Sequence, residues 1–579
     1  MENREIAQCL EEVADLLELR DENPFRVRAY RNAARTVETL TTPIHRMIQE
    51  GRELTELSGV GKEMASHLRE LVETGSLTFR GQLLAEMPPT ILDLVRLPGV
   101  GPKKAHRFWK ELGVATVEAL EAAAQEGRLA GIPGFGAKSE QKILAGIQDF
   151  RQHGSRVLLA EAERLVEPLL AHLRAVPQVE LLEVAGSYRR RKETIGDIDL
   201  VAVAADAPPV MEAFRAYPTV REVAMAGETR SSVVLGSGLQ VDLRVIPRDS
   251  YGAALLYFTG SKEHNVKLRR RAVERGLTIS EYGVFEVDAA GTGGAGRRLG
   301  GSEEEEVYRA VGLPWIAPEL REDRGEIEAA EAGRLPRLID VDDMRGDLHM
   351  HSTWSDGKST IEEMVAACAA RGYDYMAITD HSKALAMTGG LDAARLRKQW
   401  KEIEEVRGRH PEIRILCSME VDILGDGSLD LEDEMLEELD LVLVSLHSRL
   451  DLPAAQQTER VLQALEHPRV NVFCHPTARL INRRKPVEMD VDTVLRRAAE
   501  LGVALELNAN PMRLDLKDTH LARARELGCK LVINTDAHHT KHLELMRHGI
   551  DQARRAGLGA ADVLNTWSFT KLREGFART

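Results

Sequence analysis

Hydrophobic positions follow three different periods along the 579 residues. Through 1–150 they recur at helical spacing and are broken by glycine turns, which predicts short amphipathic helices. From 151 to 318, helical stretches alternate with strand patterns such as LVAVA, which follows the aspartate pair of 197–199, and the hairpin VVLGSGLQVDLRVIP at 233–247. After 343, seven apolar strand-like runs recur about every 30 residues: GDLHMHS, YMAITDHS, RILCSMEVDI, LVLVSLHS, VNVFCHP, ALELNA and LVINTDAHH. Helix-like stretches separate them, so repeated βα units and a parallel barrel are expected, one strand short of the usual eight. The expected fold class is therefore multidomain α and α/β: helical N-terminal domains, a palm with a mixed β-sheet, and a C-terminal seven-stranded, distorted TIM-like (β/α) barrel. The expected boundaries are 1–80 and 81–150 (helical), 151–247 (palm), 248–318 (a further subdomain), 319–342 (linker) and 343–579 (barrel). The glycine-rich AAGTGGAGRRLGG at 289–301 reads as a mobile loop.

Composition excludes several classes. No apolar run approaches a bilayer span, and the start MENREIAQCLEEVADLLELR reads as an acidic amphipathic helix, not a signal, so a cytoplasmic protein is expected with no membrane partner. Five cysteines without a Cys-x-x-Cys pair argue against a disulfide framework and a thiolate zinc site. The net charge of −15 speaks against a polyanionic partner until it is divided: it is −4 over 1–150, zero over 151–289 and −11 over 290–579. In the first two segments the cations cluster, as at Arg26, Arg28, Arg31 and Arg35, which makes a local footprint for phosphates. Histidine is distributed the other way, with 12 of 18 after residue 343, where imidazole and carboxylate together point to metal binding.

Three copies of one short pattern occupy the helical region: LSGVGKEMASHL at 57–68, LPGVGPKKAHRF at 97–108 and IPGFGAKSEQKI at 132–143. Each places a Gly-x-Gly turn ahead of a helix, so backbone N–H groups and the positive helix end face one spot, a site for a DNA phosphate without base reading. This is the helix-hairpin-helix pattern, and it nominates Gly59, Gly61, Lys62, Gly99, Gly101 and Lys103 for DNA binding. The preceding FRVRAYRNAARTVETL resembles the small N-terminal domain of family X DNA polymerases. That resemblance adds Arg28 and Arg31, with Lys62, as a grip on a 5′ phosphate in a gap. Where lyase-active members carry a Schiff-base lysine, this chain has His67, which cannot form that imine.

Asp197 and Asp199 share a face at the start of their strand, and Asp242 on the later hairpin supplies a third carboxylate. Three such groups can hold two Mg²⁺ ions that activate a primer 3′-hydroxyl and neutralise a triphosphate. Gly186 and Ser187, ten residues before the pair, with Arg190 and Gly196, fit the phosphates; the spacing is the nucleotidyltransferase signature, which sets the chemistry but not the substrate. The segment YFTGSKEHNVKLRRRAVERGLTISEYGVF at 257–285 resembles the family X segment that packs on the nascent base pair. By that resemblance Tyr257, Phe258 and Gly260 face the sugar of the dNTP, Asn265 the minor groove and Arg269 the template. Gln240 stands where several relatives have arginine, while Arg244 keeps a positive charge on the other side of Asp242.

In the barrel, six of the seven runs end in His, Asp or Glu, at the end where barrel enzymes place their chemistry. The candidate ligands are His349, His351, Asp356, His381, Glu420, His447, His475, Asp536 and His538. The ordered set resembles the PHP (polymerase and histidinol phosphatase) domain. The resemblance implies up to three Mn²⁺ or Zn²⁺ ions: one on His349, His351, Glu420 and Asp536, a second on Glu420, His447 and His475, and a third on Asp356, His381 and His538. Arg449 and Arg479 are expected to clamp a phosphate, and Cys474, next to His475, to point into the core. Both halves together resemble bacterial family X polymerases. The implied function is filling of gapped or nicked DNA with a 5′ phosphate by a monomer, coupled to a 3′–5′ exonuclease with 3′-phosphatase or abasic-site endonuclease activity. The alternatives are a DNA-end-binding nuclease with an inactive polymerase half, or a polymerase fused to a small-molecule phosphatase.

Overall fold

The computed structural model describes residues 3–20, 22–39, 44–49, 51–57, 59–88, 90–95, 97, 100–132, 135–136, 139–144, 146–147, 156–287, 295–385 and 388–576. Two compact units result, residues 1–155 and 156–579. Among the described residues no helix is long and apolar enough to cross a membrane.

The first unit is helical, as its 3.6-residue periodicity requires. One apolar core runs from Ile6 to Ile147, through both of the expected helical segments 1–80 and 81–150. His67 is part of that core's edge: its Nδ1 lies 3.0 Å from the Tyr30 hydroxyl, and its ring stacks on Phe79 with centroids 5.7 Å apart.

In the second unit, strands β1 (Val157–Leu158), β2 (Val179–Val184), β3 (Thr194–Ile195), β4 (Asp197–Ala204), β5 (Val220–Ala226), β6 (Arg230–Leu235) and β7 (Gln240–Val245) build the palm. β1 and β3 pair separately; the others form a sheet of order β2-β4-β7-β6-β5 in which β4 and β7 run parallel and the remaining pairs antiparallel. A second subdomain follows, with the helices Tyr251–Thr259 and Lys262–Val273 against an antiparallel sheet of β8 (Leu277–Ser280), β9 (Gly283–Val287) and β10 (Ala295–Gly300). The second half of the expected glycine-rich loop is thus strand: Ala295 and Arg298 register with Val287 and Phe285. Buried Glu304 ties this subdomain to the palm, accepting paired bonds from Arg189 and from fully buried Arg321.

The segment 319–342 is not a free linker. Ile327 and Ala330 of the helix Glu326–Glu331 enter the core of the second subdomain, Arg321 is buried, and Glu319 bonds Arg554 of the barrel at 2.7 Å. High charge suggested solvation, but these charges are paired across an interface.

The barrel strands β11 (Gly346–Asp347), β12 (Tyr375–Ile378), β13 (Arg414–Asp422), β14 (Leu441–Ser445), β15 (Val472–Phe473), β16 (Ala504–Asn508) and β17 (Leu531–Asn534) are all parallel and follow chain order. A parallel bridge between Met350 and Ala537 joins the first to the last. Alternation along each strand separates two environments. Met419, Val421, Leu505 and Leu507 face the helices, whereas Leu348, Ala377, Leu443, Val472 and Val532 fill the lower interior. Above that apolar plug, at the C-terminal ends of the strands, the interior is polar.

Candidate active sites

Parallel pairing of β4 and β7 sets the palm carboxylates in register, with Asp199 opposite Asp242 and Asp197 opposite Gln240. Burial first, then the charges of Asp197 and Asp242, push the Asp199 carboxyl up to about 6. Three acids held this close repel one another, and divalent cations remove that repulsion, so the set fits metal. Gln240 reaches Asp242 at 3.3 Å where an arginine was the alternative, and Ser232 also donates to Asp242. Arg244 instead lies over the Phe258 ring, 4.4 Å from its centroid.

A cavity of about 390 Å³ opens beside these acids, lined by Gly186, Ser187, Arg190, Tyr257, Phe258, Gly260, Asn265 and Arg269. The buried Ser187 hydroxyl and Asn265 Oδ1 have no hydrogen-bond partner, so the wall presents unsatisfied polar atoms to an occupant. Asn265 Nδ2 is held by the Tyr257 carbonyl at 2.7 Å, and Tyr257 and Phe258 meet edge to face. Gly196 also flanks the site, where a Cβ would meet Arg156 at 2.9 Å. At Gly186, φ is +62° and a Cβ would lie 2.7 Å from Asp199 Oδ2, so only glycine brings the backbone this near the acid. Gly186→Ala is expected to cut nucleotide addition by about a hundredfold through displacement of that carboxylate, since placement errors of this kind are costly. Primer-extension rates at saturating nucleotide check it; parent-like extension would contradict the requirement.

The helical unit gives a divided answer. Gly59 takes φ +74°, and Gly61 and Gly101 precede the helices Lys62–Thr74 and Pro102–Leu112, with Lys62 and Lys103 exposed. Gly99 lies outside the described residues. Arg28 stacks over Phe25 with its guanidinium 5.0 Å from the ring centroid. Arg31, 41% exposed, pairs with Asp15 at 3.2 Å and Glu18 at 2.5 Å, a contact between two helices that their separate patterns did not show.

At the upper end of the barrel all nine candidate ligands converge. Glu420 is reached by His349 at 3.3 Å, His351 at 3.6 Å, His381 at 3.0 Å, His447 at 3.5 Å and His475 at 3.0 Å. Asp536 lies 3.2 Å from His351, and Asp356 lies 3.4 Å from His538 and 3.7 Å from His381. These residues separate into overlapping groups: His351, Asp356, His381 and His538; His349, His351 and Asp536; His349, Glu420 and His475; His381, Glu420 and His447. Buried His349 Nε2, both His351 nitrogens and Glu420 Oε2 have no hydrogen-bond partner, which a cation would satisfy. Burial, with His538 and His381 alongside, pushes His351 down to about 3, leaving it in the neutral form that ligates.

Comparison with known proteins places the chain in a family. Residues 1–77 match the helix-hairpin-helix domain, 91–149 the SAM-like helix-hairpin-helix tandem, 254–322 the DNA polymerase beta thumb and 347–510 the PHP domain. The DNA polymerase/3′-5′ exonuclease PolX of Bacillus subtilis (strain 168) is 40% identical over 98% of both chains. The chain belongs to the PolX family of DNA polymerases with a PHP domain. Other relatives divide along PolX architecture. A probable phosphatase of Syntrophotalea carbinolica is 31% identical over 38% of this chain and 90% of its own, and DNA polymerase lambda of Rattus norvegicus is 25% identical over 55% of this chain and 56% of its own.

Several further residues at the two candidate sites carry no motif. Glu506 holds His349 Nδ1 at 2.7 Å and the His475 N–H at 2.7 Å, and Asp422 holds His447 Nδ1 at 3.1 Å, so both orient ligands. Glu506 sits on the strand ALELNA, whose end bears no acid or histidine; the signal was its alternation with Asn508 on the inner face. Arg513, 3.5 Å from Asp536, stands at the metal centre and was missed. Arg479, expected to clamp phosphate, has its guanidinium committed to Glu193 of the palm at 2.8 Å and to the Arg513 and Leu514 carbonyls. Arg449 lies against Gly425 with φ +53°. Cys474 is core, yet it shares the interior with His475 because His475 takes φ +27° and turns inward, breaking the alternation. Arg156, Lys192 and Lys262 complete the wall of the palm cavity.

Proposed function

We propose that the palm adds deoxynucleotides to primer 3′ ends in short DNA gaps bearing a 5′ phosphate, and that the barrel trims 3′ ends. The observation that carries this reading is the presence in one chain of two separately convergent donor sets: Asp197, Asp199 and Asp242 beside an open cavity, and nine candidate ligands, Glu420 among them, at the upper end of the barrel. The donor types fit Mg²⁺ at the all-oxygen palm set and Mn²⁺ or Zn²⁺ at the mixed nitrogen and oxygen barrel set. Such ions, when bound, neutralise charge on the reacting phosphate and lower the pKa of the attacking group.

The chain's own residues do the rest. Ser187 and Arg190 fit the triphosphate, Tyr257 and Phe258 bound the sugar, and Asn265 presents its free oxygen to the base pair. Gly61 and Gly101, at the two described helix starts, fit DNA phosphates with Lys62 and Lys103. In the barrel, Glu506 and Asp422 fix the histidine rings, and Arg513 is placed to meet a phosphate. A second reading for the barrel, hydrolysis of phosphomonoesters at 3′ ends, is favoured by the likeness to a probable phosphatase.

A 5′-phosphorylated gapped duplex labelled on the primer tests both halves. With Mg²⁺ and dNTPs the primer should lengthen to the edge of the gap; with Mn²⁺ alone it should shorten from its 3′ end, and a chelator should stop both. On the same duplex carrying a 3′-phosphorylated primer, removal of the terminal phosphate without further shortening would support the phosphatase reading and overturn the exonuclease.

A further inference from the structure

The palm cavity contains a conflict of charge. Arg190, which lines it, has its Nε 3.1 Å from Glu322 Oε1 and an Nη on the Thr259 carbonyl. A triphosphate arriving at Arg190 must therefore compete with a carboxylate already in place. Glu322 is mostly buried, with a side-chain exposure of 10%, so losing Arg190 without a substitute would leave an unpaired anion in a low-dielectric place.

A substitute is supplied by the barrel. Arg555 ends the helix Met546–Arg555, and its side chain is 3% exposed. Nη1 lies 3.0 Å from Glu322 Oε1 and 2.6 Å from the main-chain carbonyl of Arg190, while Nη2 is braced by Asp518 at 2.8 Å. Lys192 approaches the other Glu322 oxygen, at 3.9 Å. Three cations from two domains thus share one carboxylate; Arg190 and Lys192 also line the cavity and can turn to the nucleotide, whereas Arg555 reaches Glu322 from the barrel.

We propose that Arg555 of the PHP domain is a positioning residue for nucleotide binding in the palm: it keeps Glu322 paired when Arg190 turns to the triphosphate, and it holds the Arg190 main chain in place. The proposal rests on the palm cavity being the nucleotide site. Without Arg555, the cost of stranding Glu322 is transferred to nucleotide binding. A neutral residue at 322 removes that cost, so the two substitutions should not add.

Single-nucleotide gap filling by the full chain, measured across dNTP concentrations, tests this with Arg555→Met, Glu322→Gln and the double variant. Arg555→Met should raise the KM for dNTP about tenfold, as expected for loss of a charge-assisted bond, with kcat within about twofold and 3′ digestion unchanged. Glu322→Gln should have a KM no higher than the parent, and the double variant should return to that value. An unchanged KM in Arg555→Met, a loss confined to kcat, or a double variant as impaired as Arg555→Met would each overturn the proposal. Should Arg555→Met also lose digestion, marking a folding defect, Glu322→Gln decides alone, a several-fold higher KM counting against the proposal. Failure of the parent chain to extend any primer would instead remove the nucleotide-site reading beneath it.

Discussion

Asp199→Ala is expected to lower nucleotide addition by about a thousandfold or more, with 3′ digestion left at the parent rate. Asp199 faces Asp242 across the parallel strand pair and shares its own strand face with Asp197, so it stands between the other two acids that would hold the ions. Losing one ion forfeits several kcal/mol of charge stabilisation at the reacting phosphate, and each ~1.4 kcal/mol is a factor of ten in rate. The fold should not suffer. Asp199 is held at a raised pKa of about 6, burial and its two acidic neighbours making the ionised form unfavourable, so alanine relieves repulsion and removes no ion pair. The melting temperature should stay level or rise. Single-turnover gap filling with Mg²⁺ and primer shortening with Mn²⁺, run on the same preparation, separate the outcomes. Addition surviving within about tenfold of the parent would mean that Asp197 and Asp242 suffice. Equal loss of both activities would point to one coupled site.

How much of this was legible in the sequence depended on distance along the chain. A strand that ends in His or Asp states its own chemistry, because period-2 alternation and the C-terminal end of a barrel strand fix where the side chain goes. His349, Glu420, His447 and Asp536 were readable for that reason, as was the palm pair Asp197 and Asp199. Partners drawn from remote segments were not. Nothing local to Arg479 announces that Glu193, 286 positions earlier, takes its guanidinium, and nothing local to Arg31 shows that Asp15 and Glu18 on a neighbouring helix pair with it. Residues 319–342 misled for the same reason. Their charges look like those of a solvated connector, but Glu319, Arg321 and Glu322 each meet an opposite charge from elsewhere in the chain. Local pattern also failed where the backbone departs from regular geometry: alternation sets Cys474 on the face opposite His475, but at φ +27° His475 joins the ligand cluster while Cys474 also faces the interior.

Glu420→Gln should abolish 3′ digestion, by about a thousandfold or more, and should also lower the metal content of the barrel while gap filling stays at the parent rate. Glutamine keeps the shape, so the substitution tests charge alone. Five histidines reach the two Glu420 oxygens, and His381 is its neighbour in the strand pairing, which makes this carboxylate the joint between the ion groups. Burial would raise its pKa, but His381, His349 and His447 outweigh that and hold it well below the usual carboxylate range, so it is present as the anion. An amide offers one neutral oxygen and no second anionic one, and it cannot bridge two cations. His538, by contrast, reaches Asp356 and Asp536 and has no ion pair with Glu420 among the described residues, so His538→Ala should lose one ion and retain partial digestion. Glu506, which orients His349 without standing in its place as a ligand, should cost about ten- to a hundredfold as Glu506→Gln. Metal content per chain, measured by inductively coupled plasma mass spectrometry after dialysis, gives a readout independent of activity. A Glu420→Gln protein that retained a full complement of metal would show that Glu420 is not the bridge, whatever its digestion rate.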